Sequence, residues 1–287
     1  VTTLVIGAAG QLGAALVAEA PRAIGWSRAE LDLDDLEGIA SRIEALRPTL
    51  VLNAAAYTAV DTAEADTDTA FRINRDAAGA IATGAARAGA RMVHVSTDFV
   101  FDGTASTPYT PAADRNPIGA YGASKAAGED AVFRACPDAL IVRTAWVYGA
   151  GGKNFVETML RLMTTRDTLS VVADQIGTPT HTVSLARALI GLTERRVSGV
   201  HHFTDAGAAS WYDFACAIYD IGRARGALTS DVEIRPIATA DYPTPARRPS
   251  YSVLDKSSAW AALGGPAAHW RTELETMFKI REDLHVS

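Results

Sequence analysis

A doubly wound parallel α/β sheet with a smaller C-terminal α/β lid is the fold class this sequence predicts, on three observations. Short aliphatic and β-branched runs alternate with longer amphipathic stretches through the first half, the pattern of βαβ units with right-handed crossovers. The first run ends in a turn bearing Gly7, Gly10 and Gly13. After Gly149 the alternation loosens, and the tail becomes aromatic and then proline-rich. A chain of 287 residues is long enough for a main domain and a companion. The expected division puts 1–149 and 168–204 in the sheet domain, and 150–167 and 205–287 in the lid.

The elements follow in order. "TTLVIG" reads as the first strand, a helix starts at Gln11, "AIGW" is the second strand, and a helix starts near Asp34. "TLVLNAA" is the third strand, followed by a long helical region through Ala88. "RMVHVST" and "ALIVRTAWVYG" add two strands, with the helix that carries Tyr121 between them. Beyond Gly149, "NFVETMLRLM" reads as helix, "LSVVAD" as extended, "SLARALIGLTERR" as helix and "GVHHFT" as extended, with the sheet resuming there. The tail holds an aromatic helix at "WYDFACAIYDIG", the stretch "RPIATADYPTPARRPSY", and short helices around Trp260 and Trp270.

Composition narrows the function classes. A net charge of −6 argues against a nucleic-acid surface, so a phosphate ligand must be held by local amides and individual arginines. The aliphatic runs are too short for a membrane span. "VTTLVIGAAG" has no basic leader before its apolar run, and reads as a strand rather than a secretion signal. Cys136 and Cys216 stand far apart, which fits a reducing cytoplasm. His201 and His202 would point to opposite faces of a strand, so no metal is expected. Monomer and homodimer both remain open.

Three glycines between a first strand and a first helix have separate tasks: a tight turn, close approach of backbone to a pyrophosphate, and close helix packing. The helix start, at Gln11 and Leu12, offers amides and a positive dipole end to the phosphates. At the end of the second strand, where an NAD enzyme offers a carboxylate to the ribose, this chain has Ser27 and Arg28. An arginine fork suits a 2′-phosphate, so NADPH is the expected cofactor, with NADH possible.

In "YGASK", Tyr121 and Lys125 share one face at helical spacing. A phenol with a pKa of about 10 is a poor proton shuttle near neutrality. A nearby ammonium would favour the phenolate, so Lys125 is expected to lower it. "VHVSTDFVFDG" ends the fourth strand at the carboxyl edge where ligands bind in open α/β sheets, and Thr97 there can donate its hydroxyl to a carbonyl.

The G-x-x-G-x-x-G spacing, the threonine and the Y-x-x-x-K pair resemble the extended short-chain dehydrogenase/reductase superfamily, with its Rossmann-type sheet. The resemblance implies a Thr97, Tyr121, Lys125 triad in which Lys125 also holds the nicotinamide ribose. It further implies that Asp32 and Leu33 edge the adenine, and that Asn53 to Tyr57, including Ala55 and Ala56, line the ribose and pyrophosphate. Asn74 resembles the superfamily's helix asparagine that positions a relay water; the other reading is structural.

"NAAAYTAVDTAE", "STDFVFDG", "YGASK", "RTAWVYG" with "NFV", "DQIGTPT" and "RRPSYSVLD" together resemble the dTDP-4-dehydrorhamnose reductase family. What this implies is NADPH-dependent reduction of the C4 ketone of dTDP-4-dehydro-L-rhamnose, the last step of dTDP-L-rhamnose synthesis. Trp146 would contact the sugar, and Lys153, Asn154, Arg247 and Arg248 would be candidates for phosphates and thymine. Asp98 would bond a sugar hydroxyl or adjust the proton affinity of the triad, unless it only satisfies local amides. Phe99 departs from the family's usual tyrosine, which bears on substrate preference. It also stands where related sugar dehydratases carry a second acid, and a phenyl ring cannot take a proton. Two further readings stay open: a 4-ketoreductase for another dTDP-deoxysugar, and a non-catalytic subunit resembling the β subunit of methionine adenosyltransferase.

Overall fold

The computed structural model of the chain describes residues 2–20 and 22–286. Its strands, in chain order, are β1 (Thr3–Ile6), β2 (Ile24–Trp26), β3 (Leu50–Asn53), β4 (Arg91–Thr97), β5 (Leu140–Thr144), β6 (Val147–Tyr148), β7 (Thr168–Val172), β8 (Ile176–Gly177), β9 (Thr180–His181), β10 (Gly199–His202), β11 (Ala209–Ser210) and β12 (Glu233–Ile237). Six of them form one sheet in the order β10-β5-β4-β3-β1-β2, every pair parallel. The chain steps from β1 outward to β2, then returns to the other side of β1 for β3. That reversal opens a crevice beyond the carboxyl ends of β1 and β3.

The helices are α1 (Gln11–Glu19), α2 (Leu36–Leu46), α3 (Val60–Ala65), α4 (Thr67–Phe71), a π-helical turn (Arg72–Ala77), α5 (Ala78–Arg87), α6 (Ala120–Ala135), α7 (Phe155–Met163), α8 (Thr182–Glu194), α9 (Trp211–Ala224), α10 (Ser257–Leu263) and α11 (Trp270–Val286). Strand residues alternate between two cores, as the two-residue period of a strand requires. Leu4, Ile6 and Val51 pack with Ile39, Ile81 and Val132 of α2, α5 and α6, while Val5 and Leu52 pack with Leu16 and Leu189 of α1 and α8. The long helical region expected through Ala88 is broken at Asp66, whose carboxylate caps α4 by accepting from the Thr69 N–H.

Two expectations are corrected. "LSVVAD" does not return to the main sheet: β7 pairs in parallel with β12 and buries Leu169 and Val171 among Phe214, Ile218 and Met277 of the lid. Its burial alternates along the strand, which marks a strand covered on one face, whereas β5 is buried throughout. The place beside β5 is taken by β10. The helix at Trp270 is not short but runs 17 residues. Among the described residues, no helix is long and apolar enough to cross a membrane.

Candidate active site

The glycine turn is built as its spacing requires. Gly7 has φ +84°, a conformation that L side chains rarely adopt, and its N–H and that of Ala8 donate to the Trp26 carbonyl of β2 at 2.9 and 3.1 Å. A Cβ on Gly13 would overlap the Gly7 carbonyl oxygen, whereas one on Gly10 would meet only that oxygen, at 3.2 Å. No side chain caps α1 at Gly10, which leaves its first amides for an anion. Leu12 packs into the core and has only its backbone to offer. A groove of about 560 Å³ runs from Gly7 and Gly10 past Ser27, Arg28, Asp32 and Leu33 to Ala55, Ala56 and Tyr57. An open glycine, free helix amides and an adjacent guanidinium fit a dinucleotide phosphate.

A carboxylate that sequence reasoning missed is bonded to Ser27 of the groove wall. The Ser27 N–H and hydroxyl both donate to Glu30 Oε2, at 2.7 and 2.6 Å, and these bonds hold the Glu30 carboxyl below the usual range. The S-x-x-E spacing was the available signal. Arg28, exposed on the groove wall, therefore shares its neighbourhood with an anion.

The reacting groups meet where β4 ends and α6 begins. Thr97 is the last residue of β4 and caps a short 3-10 turn, Asp98–Val100, accepting from the Phe99 N–H at 3.2 Å. Its hydroxyl donates to Asp98 Oδ1 at 2.9 Å. Asp98 is buried, and its Oδ2 has no hydrogen-bond partner. Burial pushes the Asp98 carboxyl up to about 6, against the side chains of Ser252 and then Thr97, which lower it. Tyr121, second residue of α6, presents its ring edge to Phe99 at 5.5 Å. Gly122 allows this approach, since a Cβ there would overlap the Phe99 carbonyl.

The groups around the phenol act in opposite directions. Burial pushes Tyr121 up to about 12; a hydrogen bond with Thr97 draws it down and the Asp98 charge pushes it up. Lys125 donates instead to the Val95 carbonyl at 2.8 Å, and burial lowers its ammonium to about 8, with Glu129 opposing. Among the protein's own groups, desolvation outweighs the expected attraction between ammonium and phenolate.

Beneath α6 lies a polar layer. His94, Ser96 and Arg143 share the sheet face that α6 covers: His94 Nε2 faces Lys125 Nζ at 3.4 Å, Ser96 donates to Glu129 Oε1 at 2.5 Å, and Arg143 donates to both Glu129 oxygens at 2.8 and 2.7 Å. Sequence reasoning passed over His94, although a histidine inside an apolar strand was visible. Asn74, in the π-helical turn, accepts from the Tyr57 N–H at 2.9 Å and donates to the Tyr57 carbonyl at 3.1 Å and Ser124 Oγ at 3.0 Å. These bonds tie the groove wall to α6, which is the structural reading of Asn74.

The lid brings some expected residues together and engages others elsewhere. Trp146 breaks the fifth strand with φ +47°, a left-handed conformation costly for a large side chain. Its ring stacks on Trp211 with centroids 3.5 Å apart and planes 6° apart, and Gly177 leaves room for the indole, which a Cβ would strike at 2.6 Å. Asn154 caps α7 by accepting from the Glu157 N–H at 3.0 Å, and donates to Gln11 Oε1 at 2.8 Å. Gln11 in turn donates to the Lys153 carbonyl at 3.1 Å. Asn154 thus links the glycine turn to the lid rather than offering a free amide. Arg248 is paired with Asp61 at 2.8 Å and is not free for phosphate, while Arg247 and Lys153 are exposed. Among the described residues, no three His, Cys, Asp or Glu side chains converge as for a metal.

Known proteins match this chain over nearly its whole length. The family model described as RmlD substrate binding domain matches residues 1–282. A dTDP-4-dehydrorhamnose reductase of Burkholderia thailandensis is 44% identical over 282 residues, covering 93% of this chain and 95% of the relative. A dTDP-4-keto-6-deoxy-D-glucose reductase of Streptomyces niveus is 41% identical over 284 residues, covering 96% of each. The crystal structure of dTDP-4-dehydrorhamnose reductase from Bacillus anthracis in complex with NADP superposes with a TM-score of 0.92 at 34% identity, covering 97% of this chain and 99% of that one. With its glycine turn, its Thr97 and its Tyr121–Lys125 helix in one fold, this chain belongs to the dTDP-4-dehydrorhamnose reductase family.

Proposed function

We propose that this chain reduces the C4 ketone of dTDP-4-dehydro-L-rhamnose to the alcohol of dTDP-L-rhamnose with NADPH, the last step of dTDP-rhamnose synthesis. The observation that carries the reading is the convergence of Thr97, Asp98 and Tyr121 at the carboxyl edge of β4, with Lys125 one turn further along α6. Bound NADPH supplies the hydride. Tyr121 gives its phenol proton to the carbonyl oxygen, so one hydride and one proton complete the alcohol. Thr97, whose hydroxyl donates to Asp98 Oδ1 in this structure, turns that one O–H to the same carbonyl oxygen when the substrate enters. Trp146, fixed by Trp211, covers the apolar face of the sugar. Gly7, Gly10, Gln11, Leu12 and Gly13 take the pyrophosphate, Ser27 and Arg28 the 2′-phosphate, and Asp32 and Leu33 the adenine. The two cysteines are unpaired, which supports a cytoplasmic site of action.

A second reading, reduction of a different dTDP-4-ketosugar, is supported by the Streptomyces niveus relative's name and by Phe99, which lacks the family's hydroxyl. The experiment is turnover of a panel of dTDP-4-ketosugars, with NADPH and NADH oxidation followed separately by absorbance. Fastest turnover of dTDP-4-dehydro-L-rhamnose with NADPH supports the first reading. Preference for another ketosugar supports the second, and no oxidation with any sugar rejects both.

A further inference from the structure

The groups behind Lys125 form a fixed sequence of donors and acceptors. Asn53 ends β3 and sits in register with His94 of β4. Asn53 Oδ1 accepts from the Ala55 N–H at 3.1 Å, and a backbone N–H can only donate, so the amide has one orientation. Its NH2 is then turned to His94 Nδ1, at 3.1 Å. An NH2 can only donate, so Nδ1 is the acceptor and the neutral ring carries its proton on Nε2. Nε2 faces Lys125 Nζ at 3.4 Å, while Lys125 donates on its other side to the Val95 carbonyl at 2.8 Å.

An ammonium has no lone pair, so a ring N–H aimed at it opposes it; an amine can accept that N–H. We propose that Asn53 and His94 are positioning residues, which lock the imidazole as the Nε2–H tautomer and thereby hold Lys125 poised between amine and ammonium instead of as a permanent cation.

The surroundings support this. The titratable groups that bear on Lys125 are His94 from β4, at 3.4 Å, and Glu129 from α6, with Tyr121 one turn before it on the same helix. Glu129 is not a spare counter-ion: it is bonded by Arg143 of β5, by Arg115 at 3.2 Å and by Ser96. Buried His94 resists protonation, through desolvation first and then the nearby lysine charge, so its ring stays neutral near neutral pH. The kinetic consequence rests on the reductase reading. An ammonium at Lys125 stabilises the phenolate left when Tyr121 gives up its proton, so reduction slows as pH rises through the lysine's titration.

Two measurements test this, and the first needs no substrate. In wild-type protein labelled with 15N-histidine, the shifts of the His94 ring nitrogens identify the protonated one. The expected result is an unprotonated Nδ1 and a protonated Nε2 across the neutral range; a proton on Nδ1 overturns the proposal even if the enzyme is fully active. In the second, His94→Gln offers an acceptor to Lys125, and Asn53→Asp accepts a proton from Nδ1 and so turns the Nε2 lone pair toward the lysine. In a folded variant of either kind, the alkaline limb of kcat for ketosugar reduction should move up by about one pH unit. A limb that stays in place while the rate falls marks a merely structural role and overturns the proposal. Loss of all turnover in wild type would count against the reductase reading and leave the tautomer to be decided by the ring nitrogens.

Discussion

The Thr97 hydroxyl donates to Asp98 Oδ1 at 2.9 Å, and the other oxygen of that carboxylate lies buried with no partner. Asp98 therefore holds the one donor proton that the substrate carbonyl must draw away, while remaining badly solvated itself. Its folded value of about 6 lies above the ordinary 3.8, so the folded state binds this proton more tightly than the unfolded one does. Below the ordinary value there is no penalty, and stability is lost as pH rises between the two values.

Asp98→Asn removes that titration. Its stability relative to wild type should improve between about pH 4 and pH 7 by roughly 2 kcal/mol, while its turnover falls. Urea midpoints at the two pH values check this; a constant difference would show that Asp98 is not a strained carboxylate.

The glycine turn separates folding from binding. Gly13→Ala drives a Cβ into the Gly7 carbonyl and should cost about 1–3 kcal/mol of stability as well as cofactor affinity. Gly10→Ala meets only that oxygen, at 3.2 Å, and should fold normally yet bind NADPH poorly. Denaturation and NADPH fluorescence titration on the two variants would distinguish these effects, and equal stability losses would contradict the geometry.

Arg28 lines the groove, and Glu30 is bonded to its neighbour Ser27. Arg28→Ala should weaken NADPH binding about 10- to 100-fold, the scale of one charged hydrogen bond, and leave NADH nearly unchanged. Glu30→Gln should favour NADPH further by removing an anion beside the 2′-phosphate. Dissociation constants for both cofactors measure this, and an equal loss for the two in Arg28→Ala would remove the arginine from 2′-recognition.

Trp211 has no predicted contact with the reacting groups, yet it stacks on Trp146. Trp211→Ala should release the indole from its left-handed backbone position and raise KM for the dTDP-sugar about tenfold, equivalent to about 1.4 kcal/mol. NADPH affinity should hold. An unchanged KM would mean that Trp146 needs no such support.

The sheet and the crevice were legible because they rest on local signals. β4 runs over the same residues, Arg91–Thr97, that the apolar run marked, and the glycine spacing placed the turn where Gly7 and Gly13 need it. What stayed hidden depends on contacts between distant segments. Nothing in the local pattern tells that β7 pairs with β12 some sixty residues later, that Asn154 reaches Gln11 across the molecule, or that Asp61 neutralises Arg248. Spacing put Tyr121 and Lys125 on one helix face, but only the packing shows that a strand histidine faces the lysine.

The measurement that bears most directly on the whole account is the single-turnover rate of NADPH oxidation by Tyr121→Phe with dTDP-4-dehydro-L-rhamnose, taken with NADPH affinity on the same sample. The account predicts normal cofactor binding and a rate about 10²- to 10⁴-fold below wild type. A variant that binds NADPH and turns over as fast as wild type would contradict it.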